Sequence, residues 1–205
     1  MPGRFFLTHD MTDVAPVLDV EADNVLAQRP RHNISPGQEI VTFTADGFSL
    51  MRWGIIPVGR VNARGRPVME TLINARSETL FEKSAYQGVG RAVVPATGWY
   101  EWTGERRRKK PWRLSAKDGA PLFFAAVTDV WAGPGDLRVP QVAILTCAPS
   151  QDVAPIHHRM GVLLEPSNVR VWLAAETEQA QSMFKPWPNG RLSIKEAKNV
   201  DWNGP

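Results

Sequence analysis

The sequence predicts an α+β protein, a single domain over residues 1–205 built around a curved, mainly antiparallel sheet or barrel with peripheral helices. Three observations lead there. Short apolar runs bounded by turn residues outnumber helical patterns. The helical patterns lie scattered among them. No internal repeat, low-complexity tract or long linker divides the 205 residues, a length that suits one domain or at most two small ones.

In chain order, residues 13–29 have roughly helical apolar spacing, weakened by Pro16. Ile40 to Thr44 and Phe48 to Ile55 read as a hairpin around Asp46-Gly47. Residues 77–86 suit a short helix. The stretches RAVVPATGWYEWTG and KKPWRLSAK read as strands joined across the charged run Glu105 to Lys110. PLFFAAVTDVW and VPQVAILTCAP read as two more, separated by the turn residues Gly133 to Asp136. EPSNVRVWLAA is helical, with Ser167 as the expected N-cap.

Composition narrows the function classes. Hydrophobic residues at 43% and charged residues at 22% are ordinary for a globular core. No apolar stretch approaches the roughly 20 residues of a membrane helix, and the start lacks a secretory pattern, so a cytoplasmic protein is expected. The lone cysteine, Cys147, excludes an internal disulfide and reads as a buried thiol among apolar neighbours. Net charge of +3 is compatible with a polyanionic partner without requiring one. Eight tryptophans, several beside Arg, Glu or Pro, suit either a core or stacking platforms for bases. The basic run within residues 105–110 reads as a solvated hairpin tip that adds non-specific phosphate attraction.

Four places put reactive side chains in apolar or aromatic settings. In TLINARSET, Asn74 and Arg76 stand two apart and face one way if the segment is extended. In GWYEW, Glu101 lies between Tyr100 and Trp102, where desolvation would raise its pKa and fit it for proton transfer. PIHHRMGVLL carries His157, His158 and Arg159 just ahead of an apolar strand, and the opening PGR is the fourth place. Each admits a plainer reading: a turn residue for Asn74, an ion-pair partner for Glu101, a surface pair for the histidines. Adjacent histidines point apart and no third ligand stands at ligand spacing, so no metal and no cofactor is expected. GxSxG, Walker and GxGxxG patterns are absent from the sequence.

Taken together, GRF at the start, RHNISPGQ, MRWGIIP, LINARSET, RAVVPATGWYEW, PIHHRMGVLL and AKNV occur in the order of one family. The chain resembles the SOS-response-associated peptidase (SRAP) family from Gly3 to about Val200. The resemblance implies a compact α+β fold with a barrel-like sheet and a positively charged groove. It implies recognition of abasic sites in single-stranded DNA, covalent capture of the sugar, and self-removal of Met1. Carried over by position, Pro2, Asn74, Glu101 and His157 are the catalytic set. Arg4, Arg76 and Arg159 match arginines along the DNA path, and Trp53 resembles an aromatic beside which the strand is unstacked. The implied partner is single-stranded DNA containing abasic sites, bound by a monomer in the cytoplasm and associated with the nucleoid. Departures are His158 where aspartate is common and Gly161 where proline is common.

The serious departure is Pro2, where the family has a cysteine whose amine and thiol close a thiazolidine on the sugar aldehyde. A proline freed by loss of Met1 carries a secondary amine, which condenses with an aldehyde to an iminium ion without a thiol. The iminium acidifies the C2′ protons, so β-elimination of the 3′ phosphate can follow. If Met1 stays, Pro2 is an amide and the protein becomes a single-stranded DNA binding module. A peptidase acting on other proteins is the weakest reading.

Overall fold

The computed structural model describes residues 2–21, 28–57, 71–105 and 108–204. Its centre is a closed five-stranded barrel. Strands β3 (Glu39–Thr44) and β4 (Gly47–Trp53) form the expected hairpin, with Phe43 opposite Phe48. β3 also pairs with β6 (Gly90–Ala96), and β6 runs antiparallel to β9 (Leu122–Ala132). β9 turns through residues 133–137 into β10 (Arg138–Cys147), which closes the ring by pairing parallel to β4. Closure removes free sheet edges, and the apolar runs of β6, β9 and β10 supply much of the buried core.

A second sheet has the order β13 (Leu192–Glu196), β8 (Lys110–Ala116), β7 (Gly98–Thr103), β1 (Phe5–Leu7) and β2 (Arg31–Ile34). Thr97 alone separates β6 in the barrel from β7 in this sheet, so the RAVVPATGWYEW stretch is two strands in two sheets. Gly98 permits the crossing: a Cβ there would lie 2.1 Å from the Leu114 carbonyl oxygen and 2.6 Å from the Phe6 ring. Short strands β5 (Asn74–Arg76) and β11 (Met160–Gly161) both pair with the far end of β10, and β12 (Leu163–Leu164) pairs with β9.

The helices depart from expectation at their ends. Helix α1 spans only Met11–Val14, capped by Asp10, and the chain tightens into a 3₁₀ turn at Pro16–Leu18. Pro16 has no N–H to continue an α-helix, and Asp19 at φ 55° ends the turn. The rest of that expected helix falls partly on residues 22–27, outside those described. Residues 77–86 form 3₁₀ turns at Ser77–Thr79 and Ser84–Tyr86 instead of one helix, because Leu80 and Tyr86 are drawn into the core. Helix α2 is Pro166–Ala174 with Glu165, not Ser167, at the N-cap; Pro166 takes the first helical position, where its missing N–H costs nothing. Helix α3 (Thr177–Ser182) follows. The charged run keeps its place between β7 and β8, with residues 106 and 107 outside those described.

Candidate active site

The chain start is drawn inward by sheet pairing. Tyr100 N–H donates to the Arg4 carbonyl at 2.9 Å and Phe5 stands opposite Trp99, which sends residues 2–4 along β7 toward Glu101. The opening GRFF is therefore the start of a buried strand, with Phe5 and Phe6 at 1% and 0% exposure. Pro2 is buried as well. Asn74 Nδ2 donates to the Pro2 carbonyl at 3.0 Å, across 72 residues of sequence. Gly161 makes room on the other side. A Cβ there would lie 2.4 Å from the Phe124 ring and 3.4 Å from Pro2 Cγ, so the proline ring at position 2 stands beside a position without a side chain.

Two elements hold Asn74. Its strand β5 pairs parallel with β10 at Ile144, and Tyr86 Oη donates to the Asn74 carbonyl at 3.3 Å. The Asn74 Oδ1 atom is buried with no hydrogen-bond partner among the described residues. Arg76, two residues along the same extended strand, is exposed.

Glu101, on the β7 stretch that residues 2–4 run along, comes close to His157, with Glu101 Oε2 4.0 Å from His157 Nε2. That separation exceeds a hydrogen bond. Glu101 is 3% exposed, and burial pushes its carboxyl up to about 7 against the pull of the positive N-terminus. His157 is held below its ordinary value, chiefly by burial and then by the same N-terminal charge. One terminus thus acts on both groups; near pH 7 the carboxyl stands at its midpoint while the imidazole favours its neutral state. His157 Nδ1 lies 3.0 Å from both the N and the O of Arg159. The turn therefore holds the ring whether Nδ1 carries a proton, donating to the carbonyl, or accepts from the N–H. His158 is exposed and stacks on His157 with ring centroids 4.4 Å apart.

The four expected catalytic positions thus converge through two close pairs, Pro2 with Asn74 and Glu101 with His157. The expected DNA-facing residues divide. Arg76 is exposed on the strand that carries Asn74. Arg4 alternates with Phe5 and so points to the Tyr100 face of the second sheet, away from Glu101. There its Nη1 donates to Asn33 Oδ1 at 2.6 Å and to the Trp202 carbonyl at 3.3 Å. Arg159 is committed to Glu78 and Thr146. Trp53 is a correction: it is 0% exposed and cannot stack on a base. Its indole packs edge-on against Phe5 at 5.1 Å and donates to the Ile73 carbonyl at 2.9 Å, supporting the residue before Asn74. Trp102, half-buried and next in sequence to Glu101, lies with Tyr100 on the opposite face of β7, against Trp202 at 5.4 Å.

Sequence reasoning passed over Asn33, Glu78 and Thr146. Asn33 lies within RHNISPGQ, is 2% exposed, and donates to the carbonyls of Asp201 and Gly204. Its place inside the RHNISPGQ motif was the one signal for it. Cys147 is buried, and its thiol is pushed up to about 11 by burial, which leaves it protonated and a poor nucleophile.

The family model described as SOS response associated peptidase (SRAP) matches residues 1–200. The chain is 30% identical over 201 residues to the abasic site processing protein YoqW of Bacillus subtilis, covering 91% of this chain and 88% of that one. It is 30% identical over 187 residues to the abasic site processing protein YedK of Escherichia coli, covering 86% and 81%. A crystal structure of a protein from Bacteroides thetaiotaomicron superposes with a TM-score of 0.80 at 20% identity, over 96% of this chain and 92% of the other. The family match over residues 1–200 and the 30% identity to YoqW over 201 residues show that this chain belongs to the SRAP family.

Proposed function

We propose that this protein binds single-stranded DNA and reacts with abasic sites through the amine of Pro2, once Met1 has been removed. The observation that carries the reading is the convergence of Pro2, Asn74, Glu101 and His157 from four distant stretches of sequence.

The roles follow from each group's chemistry. The neutral secondary amine of Pro2 adds to C1′ of the open-chain sugar, and the resulting carbinolamine loses water to give an iminium ion. That loss needs an acid, and a carboxyl with a pKa of about 7 keeps its proton in about half of the molecules at neutral pH, enough to serve as one. His157, kept neutral by burial, accepts the C2′ proton; the electron pair moves to form the C2′–C3′ double bond as the 3′ phosphate leaves. Asn74 holds the Pro2 carbonyl with its amide N–H and offers Oδ1 to the amine hydrogen or a sugar hydroxyl. Arg76, exposed on the strand that carries Asn74, meets the phosphate backbone.

One observation favours a second reading. Pro2 is already buried and held by its carbonyl in the chain that carries Met1; there its nitrogen is a tertiary amide with no nucleophilic lone pair, and such a chain binds DNA without reacting at position 2. Intact mass with and without loss of methionine, followed by borohydride trapping on a single-stranded abasic oligonucleotide, separates the two. A free Pro2 that gives no trapped adduct rejects the covalent reading.

A further inference from the structure

Arg159 is the most heavily engaged side chain near the site. Nη1 donates to Glu78 Oε1 at 2.5 Å and Nη2 to Glu78 Oε2 at 2.8 Å, a two-pronged pair. Nη2 also donates to the Thr146 carbonyl at 2.6 Å and lies 3.2 Å from Thr146 Oγ1. The Arg159 side chain is 12% exposed and that of Glu78 50%. One guanidinium therefore ties three segments: the turn after β5, the end of β10, and the turn that leads into β11. That last turn holds the His157 ring through the Arg159 backbone.

We propose that Glu78 is a positioning residue: by clamping Arg159 it fixes the 157–159 turn, and with it the direction in which His157 presents Nε2 toward Glu101 and the reacting sugar. The role toward the sugar rests on the abasic-site reading above. The geometry also sets the electrostatics. Beside its burial, the groups facing His157 are Glu101 on β7, the positive N-terminus, His158 and Arg159; the terminus, His158 and the Arg159 guanidinium disfavour its protonated form, while the Arg159 backbone hydrogen bond favours it. Glu78 compensates the Arg159 charge; its own carboxyl is held below the usual range, first by the Arg159 hydrogen bonds. The competing role is a passive one, in which Glu78 merely occupies Arg159 until a DNA phosphate displaces it.

Glu78→Gln keeps the shape and removes the charge and one of the two acceptors. The first readout needs no DNA: histidine-ring NMR of the free protein, with His157 assigned by substitution. The expected result is a changed His157 ring signal and a titration midpoint moved to lower pH, because the Arg159 cation is no longer compensated. The second readout is single-turnover reaction with an abasic oligonucleotide. The maximal rate should fall about 10- to 100-fold, the range set by displacing a reacting group by about 1 Å or less, while the half-saturating DNA concentration stays put. Glu78→Asp, which retains the charge, should recover part of both. If the Gln variant does not fold, Arg159→Lys, which cannot make the two-pronged pair, carries the same two expectations. An unchanged His157 signal and rate, with tighter DNA binding, overturns the proposal in favour of the passive role. A wild-type protein inert on abasic DNA whose His157 still responds to Glu78→Gln overturns the function and leaves the positioning standing.

Discussion

Glu101→Gln isolates the cost of burying a carboxyl. The rise from 4.5 to about 7, at about 1.4 kcal/mol per pH unit, corresponds to about 3 kcal/mol disfavouring the ionised form in the folded protein. The sign follows from proton binding. Between pH 4.5 and about 7 the folded chain keeps this proton while the unfolded chain has lost it, so stability falls as pH rises through that window. A glutamine of the same shape carries no such penalty. Glu101→Gln should therefore gain on wild type by about 3 kcal/mol between pH 4 and pH 8, on top of any pH-independent offset from altered hydrogen bonding. For a chain of this length that is a relative gain in Tm of about 6–12 °C. His157 shifts the other way, losing stability as pH falls through and below its ordinary range, but both proteins carry it and it cancels to first order in the difference. Thermal and urea unfolding of the pair from pH 4 to 8 measures the quantity. A difference that stays constant with pH, or shrinks as pH rises, would refute burial as the cause of the raised carboxyl.

Two further outcomes test the division of the expected DNA-facing residues. Arg76→Ala should weaken single-stranded DNA binding and reduce the salt slope by about 0.7, the share of one neutralised phosphate, leaving stability within about 0.5 kcal/mol of wild type. Trp53→Ala should behave as a core truncation, costing about 3–5 kcal/mol in urea unfolding, whereas an exposed stacking residue would cost little stability and much affinity.

The parts of the fold legible in the sequence were those with local signals. The β3–β4 and β9–β10 hairpins join apolar strands through turn residues, and both form where expected. What failed depended on distant partners. Residues 77–86 carry a helical pattern, yet Leu80, Tyr86 and the Glu78–Arg159 pair pin them in separate turns. Trp53 reads the same in sequence whether its indole meets a base or the Ile73 carbonyl, and only the packing of β1 against β4 decides it. Arg159 looked free to meet DNA because its carboxylate partner lies 81 residues away. The candidate positions Pro2, Asn74, Glu101 and His157 came from their motifs, and Glu101 also from its aromatic flanks; its own burial raises its carboxyl as expected.

The most direct test of the account is the location of the covalent bond. Protein shown by intact mass to have lost Met1 is incubated with a single-stranded abasic oligonucleotide and borohydride, digested, and the adduct mapped by peptide mass. A reduced sugar linked to the Pro2 amine is the predicted result, with strand cleavage and no lasting adduct when borohydride is omitted. Pro2→Cys should instead give an adduct that survives without reductant, because the thiol closes a ring on the imine carbon at high effective concentration. An adduct on a lysine, or none at all while Pro2→Cys crosslinks readily, would contradict the account.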